Sequence, residues 1–393
     1  MTSSAPRSIL PLLSAEEEQH SRAVADLLRE QIGAAGGWLS FERFMELALY
    51  APGLGYYSAG SAKIGAGGDF VTAPEVSDLF SRCVAQQCAE VLAETGGEVL
   101  EVGAGTGRMA AAVLEALAAA GALPDRYAIL EVSADLAERQ RARVRGLPQA
   151  LRERVVWLER LPERPVRGVM LANKVLDALP CRRFTLQSRE VRELGVATEG
   201  SSFIERAELP DSALAAACDG LFHELPQSVS DGYTSELCLR VEPWIAGVGQ
   251  CLERGVLLLF DYGLPRSHYY HPQRVSGTLR CHFKQRAHDD PYVNVGVQDI
   301  TAWVDFTRVA EAAIAAGLEV SGFVTQAAFL LATGIESFAA EATGTVEHAR
   351  RAGEARRLLM PGEMGEAFKV MALTRNYATA LRGFSLQDLR PSL

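Results

Sequence analysis

In the stretch VLEVGAGTGRM, glycines at 103, 105 and 107 sit between an apolar run and a helical pattern. A strand, a glycine turn and a helix in that order open a nucleotide-binding α/β domain. A dinucleotide turn reads G-x-G-x-x-G, and the position of its third glycine is here Arg108. A phosphate-cradling P-loop requires Lys followed by Ser or Thr, which the turn lacks. Gly103, Ala104, Gly105, Thr106 and Gly107 therefore permit close backbone approach without a triphosphate cradle. S-adenosyl-L-methionine, which carries no phosphate, matches that requirement. It needs an acid for its ribose hydroxyls, and Glu131, closing AILEVS, can accept both hydroxyl protons. Glu101, two residues before the first glycine, is placed to stabilise the ammonium of the methionine moiety.

Such residues work only if strands and helices bring them to one edge. The apolar runs EVLEVGA, YAILEVS, VVWLERL, GVMLANKV and GVLLLFDYG alternate with the helical patterns RMAAAVLEALAAAG and ADLAERQRARVRG. That alternation predicts a doubly wound, mostly parallel α/β sheet of the Rossmann-like class. Residues 1–94 read as an N-terminal helical and lid region, and 95–393 as the core, with insertions at 184–230 and 264–299. Within the first insertion, polar–apolar alternation from Phe184 to Leu209 predicts an antiparallel hairpin. A helix is expected over Ser235–Arg254. The loop GAGGDFVTAPE, with Asp69, Phe70 and Thr72, is expected to act as a lid.

Composition narrows the function. The 393-residue chain has a formal net charge of −10, which argues against general nucleic-acid binding. Its seven cysteines are irregularly spaced, without a C-x-x-C pair, so neither a disulfide framework nor a zinc ribbon is expected. His268, His271, Cys281, His282 and His288 repeat no structural zinc spacing. The N-terminal stretch does not read as a secretory or transit signal, and no apolar run approaches the ~20 residues of a membrane span. A cytoplasmic protein without membrane insertion is the resulting expectation.

SFERFMELALYAPGLGYY, GDFVTAPEVS, EVGAGTGRMA, LEVSADLAERQ, ANKVLDALP, DYG and RAHDDPYVNVGVQDITAWVDF together resemble the MidA-type S-adenosyl-L-methionine-dependent methyltransferases. The resemblance runs from about Leu39 to Thr374. It implies a class I methyltransferase sheet of seven strands, the seventh antiparallel. It further implies a protein arginine as acceptor, in a partner such as a subunit of respiratory complex I. Two positions depart from the family's pattern: Asn173-Lys174 where Asn-Glu is common, and Trp303 where His is expected.

An acceptor guanidinium starts charged, so carboxylates should grip it and take its proton as the new bond forms. Asp177, Glu75, Asp289 and Asp290 are the candidates, each also able to cap a helix or pair at the surface. Asn173, ending the fourth strand, can bridge cofactor and substrate. Asp261 is expected to order the site rather than react. Lys174 is expected to face solvent, leaving Asp177 or Glu75 to hold the substrate. Two other readings stay open: a methyltransferase for a small molecule, and a non-catalytic assembly chaperone that keeps the cofactor fold.

Overall fold

The computed structural model describes residues 10–58, 69 and 71–393. They divide into two compact units, each drawn from three stretches of chain: Thr72–Asp177, Arg240–Tyr269 and Trp303–Leu393 in one, Met1–Val71, Ala178–Leu239 and Tyr270–Ala302 in the other.

The first unit carries the parallel sheet. Its strands are β1 (Glu98–Val102), β2 (Tyr127–Leu130), β3 (Val155–Leu158), β4 (Val166–Asn173), β5 (Leu252–Leu264), β6 (Glu319–Thr325) and β7 (Phe368–Arg375). They lie in the order β6-β7-β5-β4-β1-β2-β3, with Val304–Asp305 as a short addition beside the end of β5. From β3 to β5 neighbouring strands are parallel, whereas β7 runs antiparallel to both β5 and β6. Strands covered on both faces must be apolar throughout, and Val99, Leu100, Val169, Met170 and Leu171 are fully buried.

Three helices matter for the site: α1 (Asp78–Thr95), α2 (Arg108–Ala119) and α3 (Ala134–Arg145). Met109, Val113, Leu114 and Leu117 of α2 recur at helical spacing and bury one stripe in a core shared with Phe80, Val84 and Cys88 of α1. Ser133 caps α3, its side chain accepting from Leu136 N. Because β1, β2 and β4 are parallel, the glycine turn, Glu131 and Asn173 all emerge at the carboxyl edge of the sheet, where open α/β sheets bind ligands.

The second unit has its own core, including Val24, Leu28, Phe41, Phe44, Tyr56, Val196 and Ile300. The expected hairpin is the centre of a larger antiparallel sheet, in which Arg182–Gln187, Glu190–Glu199 and Ser202–Glu208 are joined by Leu39–Ser40 and Thr234–Leu237. The helix expected from Ser235 begins only at Val241. Thr234–Leu237 instead completes the free edge of Arg182–Thr185 and buries Ser235 and Glu236. The division expected at residue 94 also moves, because Leu79, Phe80 and Val84 of α1 pack in the core of the sheet unit. Phe70 and the glycine-rich part of the expected lid lie outside the described residues. Among the described residues no helix is long and apolar enough to cross a membrane.

Candidate active site

The glycine turn follows β1 with Gly103, Gly105 and Gly107 all at positive φ (68°, 54° and 77°). Two of these glycines also make room for neighbours. A Cβ on Gly103 would lie 3.1 Å from Val175, and one on Gly107 would lie 3.1 Å from the backbone of Gln140. Thr106 Oγ1 donates to Glu75 Oε1 at 2.5 Å, and Arg108 lies 3.6 Å from the same carboxylate. Glu75 thus braces the glycine turn, its carboxylate engaged by Thr106 and Arg108. Ala104 is buried beneath the turn.

Glu101 is almost wholly buried, and Tyr127 donates to its Oε2 at 2.6 Å. Burial holds its pKa up at about 7 against the Tyr127 hydrogen bond, with the nearby charge of Glu131 adding to the rise. Glu131, at the end of β2, accepts from Ser133 N at 2.9 Å and from Gln140 Nε2 at 2.9 Å. Burial raises its pKa too, and those two donors work against the rise. Directly after it, Val132 is 80% exposed. An apolar side chain left in the open beside a strand-end acid is suited to cover the flat face of an adenine. Sequence reasoning passed over it, although LEVS spells it next to the acid.

At the end of β4, Asn173 is half-buried, and among the described residues its side chain has no hydrogen-bond partner. Lys174 follows in a left-handed conformation (φ 56°), its N–H donating to Phe260 O at 2.8 Å. Contrary to expectation its side chain does not reach solvent. It is 6% exposed, pairs with Asp177 Oδ2, and places Nζ 4.7 Å from the centre of the Tyr262 ring. The turn folds it inward because Asp261 accepts from Leu176 N (2.9 Å), Asp177 N (3.2 Å) and Tyr262 N (2.9 Å), fixing the backbone between them. Burial and the charge of Asp177 push the Asp261 carboxyl well above the ordinary carboxylate range, while Lys174 opposes the shift. Asp177 Oδ1 is buried with no partner among the described residues.

The remaining candidates lie elsewhere. Asp289 and Asp290 belong to the other unit. There Asp289 pairs with Arg280 at the surface, and Asp290 accepts from Tyr292 N at 3.0 Å. Asp69 accepts from Tyr56 Oη at 2.9 Å and Lys284 N at 2.7 Å, ordering that unit's core. Thr72 stands at the N-terminus of a four-residue helix without a side-chain cap bond. In the insertion expected at 264–299, Tyr269 and Tyr270 are buried, and Tyr292 packs edge-on against Phe44. Trp303 is half-buried. Among the described residues no three His, Cys, Asp or Glu side chains converge as a metal site.

A sheet whose last strand runs against the rest, with a glycine turn and a strand-end acid at its carboxyl edge, defines a class I S-adenosyl-L-methionine-dependent methyltransferase. The chain belongs to the family of S-adenosyl-L-methionine-dependent methyltransferases that matches residues 83–324. A protein of Burkholderia thailandensis, crystallised with S-adenosyl-homocysteine, is 40% identical and superposes with a TM-score of 0.92 over 98% of this chain and 100% of that one. A native crystal structure from the same organism gives 40% identity and a TM-score of 0.90 over the same shares. The protein arginine methyltransferase NDUFAF7 homolog, mitochondrial, of Drosophila melanogaster is 27% identical over 92% of this chain and 87% of its own length. The protein arginine methyltransferase NDUFAF7, mitochondrial, of Danio rerio is 25% identical over 88% and 86%. The cofactor is S-adenosyl-L-methionine, and the open glycine turn and the uncovered Val132 beside Glu131 fit it. The expectation of a cytoplasmic protein is overturned by these comparisons, since the curated relatives are named as mitochondrial proteins.

Proposed function

We propose that the chain methylates an arginine of a partner protein, with Asp177 as the carboxylate that receives the acceptor. The observation that carries this reading is the buried Oδ1 of Asp177, four residues beyond Asn173, which has no partner among the described residues. Relatives named as protein arginine methyltransferases over most of their length support the acceptor class. Bound cofactor supplies a methyl group on a sulfonium, open to in-line displacement. The chain's task is to hold an acceptor nitrogen about 3 Å from that carbon. Asn173 orients it from the strand end, and Asp177 Oδ1 takes the guanidinium hydrogen bond and then its proton.

Lys174 limits what this corner can hold. A guanidinium about 4 Å from its ammonium is repelled by roughly 4 kcal/mol at an effective dielectric near 20. Two carboxylates against one ammonium leave a net charge of −1 once Asp261 is ionised, enough for one arriving cation.

The test is incubation with radiolabelled S-adenosyl-L-methionine and a cell extract, then hydrolysis and search for labelled methylarginine. A subunit of respiratory complex I is the first acceptor to examine. Label in methylarginine that vanishes in Asp177→Asn supports the proposal, and label confined to metabolites or other side chains rejects it. The lysine seated on Asp177 favours a second reading, an assembly factor that binds cofactor without transfer. Intact S-adenosyl-homocysteine binding with no labelled product would select it.

A further inference from the structure

We propose that Gln140 is a positioning residue for the cofactor, its amide holding the Glu131 carboxylate and the glycine turn in one fixed relation, with Trp157 locking that amide the right way round. The inference rests on the assignment of Glu131 to the ribose.

Gln140 lies on α3 and is fully buried. Its Nε2 donates to Glu131 Oε2 at 2.9 Å and to Gly105 O at 3.0 Å, so both amide hydrogens join the two halves of the cofactor edge. One turn further along α3, Arg143 Nε donates to Thr106 O at 3.2 Å. Two consecutive carbonyls of the glycine turn are thus held by one face of one helix. Gly107 permits this approach, because a Cβ there would meet Gln140 at 3.1 Å from Cα and 3.2 Å from Cγ.

An amide alone could turn over and present its oxygen to Glu131, setting two acceptors against each other. Trp157 prevents that. Its indole N–H, which can only donate, meets Gln140 Oε1 at 3.0 Å and leaves Nε2 facing the acid. The consequence for the ligand is charge. A carboxylate accepts hydrogen bonds from both hydroxyls of a vicinal diol, whereas a protonated acid must spend one oxygen as a donor. Buried beside β2, Glu131 needs neutral donors to stay ionised, and Gln140 and Ser133 N supply them.

Calorimetric titration of the full chain with S-adenosyl-homocysteine tests this. Gln140→Leu should weaken binding roughly tenfold or more, the loss expected when a hydrogen bond to a charged group is removed. Gln140→Glu should bind weakly at pH 8, where two carboxylates oppose each other. Relative to wild type at the same pH, it should recover as the pH falls and residue 140 regains a proton to donate. A purely structural role gives no such pH-dependent ratio. Trp157→Phe, at a half-buried position, should cost severalfold and serves if Gln140→Leu does not fold.

Wild-type affinity in folded Gln140→Leu, or in folded Trp157→Phe if the leucine variant does not fold, overturns the inference. So does a ratio for Gln140→Glu that does not change with pH. Glu131→Ala separates the two levels: if it leaves affinity unchanged, the ribose assignment itself is wrong. If it weakens binding while the Gln140 variants do not, only the positioning role fails.

Discussion

The two corners of the carboxyl edge are built on opposite principles. Around Glu131, one backbone N–H and one neutral amide surround the carboxylate with donors, and the same amide and the Arg143 guanidinium hold two carbonyls of the glycine turn, whose far side is braced by Glu75. At residues 173–177 and Asp261, two carboxylates and an ammonium are buried together, and one Asp177 oxygen has no partner among the described residues. The first arrangement is fixed before a ligand arrives. The second is held by a charge balance that an arriving cation changes. A preorganised corner suits a cofactor common to every turnover, and an electrostatically poised one suits discrimination among acceptors.

On this contrast, damage to the proposed acceptor corner should spare cofactor binding. Asp177→Asn should lower methyl transfer by about 10²- to 10⁴-fold, the range for loss of a proton-accepting group. Its affinity for S-adenosyl-homocysteine should stay within about twofold. A parallel loss of cofactor affinity would erase the distinction. Lys174→Met leaves a buried carboxylate without its cation and should destabilise the fold by about 3–5 kcal/mol. Urea unfolding measures this, and Lys174→Met with Asp177→Leu should recover much of the loss. Lys174→Glu, harmless were the side chain in solvent, would crowd three acids into this corner and should be worse still.

The cofactor corner should respond in the opposite sense. Glu131→Ala should weaken S-adenosyl-homocysteine binding by about 1.5–3 kcal/mol without an equal fall in stability, and Glu131→Gln by less. Glu101 acts through pH: its folded pKa of about 7 lies above that of an unfolded glutamate, near 4.3. Between those values the folded chain binds more protons, so stability falls as pH rises through the window, by at most about 1.4 kcal/mol per unit. Chemical denaturation of Glu101→Gln across pH 5 to 8 should show a flatter profile. An unchanged slope would mean that Glu101 does not titrate there.

The same contrast governs how much could be read from the sequence. Glycine at 103, 105 and 107 is a backbone requirement and is written directly into the chain, as is an acid closing an apolar strand. The parallel sheet is equally legible, because buried strands and amphipathic helices alternate with distinct periods. Lys174 is different. Its direction depends on Asp261, more than eighty residues away, capturing the N–H groups of Leu176 and Asp177, and no local pattern reports that. Glu75 looked like a free acid because its partners, Thr106 and Arg108, sit beyond an intervening helix. The strand Thr234–Leu237 was read as helix for a similar reason: its pairing partner Arg182–Thr185 lies about fifty residues earlier.

The strand order carries a consequence for synthesis. β7 (Phe368–Arg375), made after both of its neighbours, lies between β5 and β6 in the interior of the sheet. On the ribosome, both neighbours emerge with backbone edges that nothing yet covers, an invitation to pair with the wrong strand. Loss of β7 would therefore do more than shorten the chain. It would leave a split sheet with two open edges, and such a product should be recovered as aggregate rather than as a shorter enzyme.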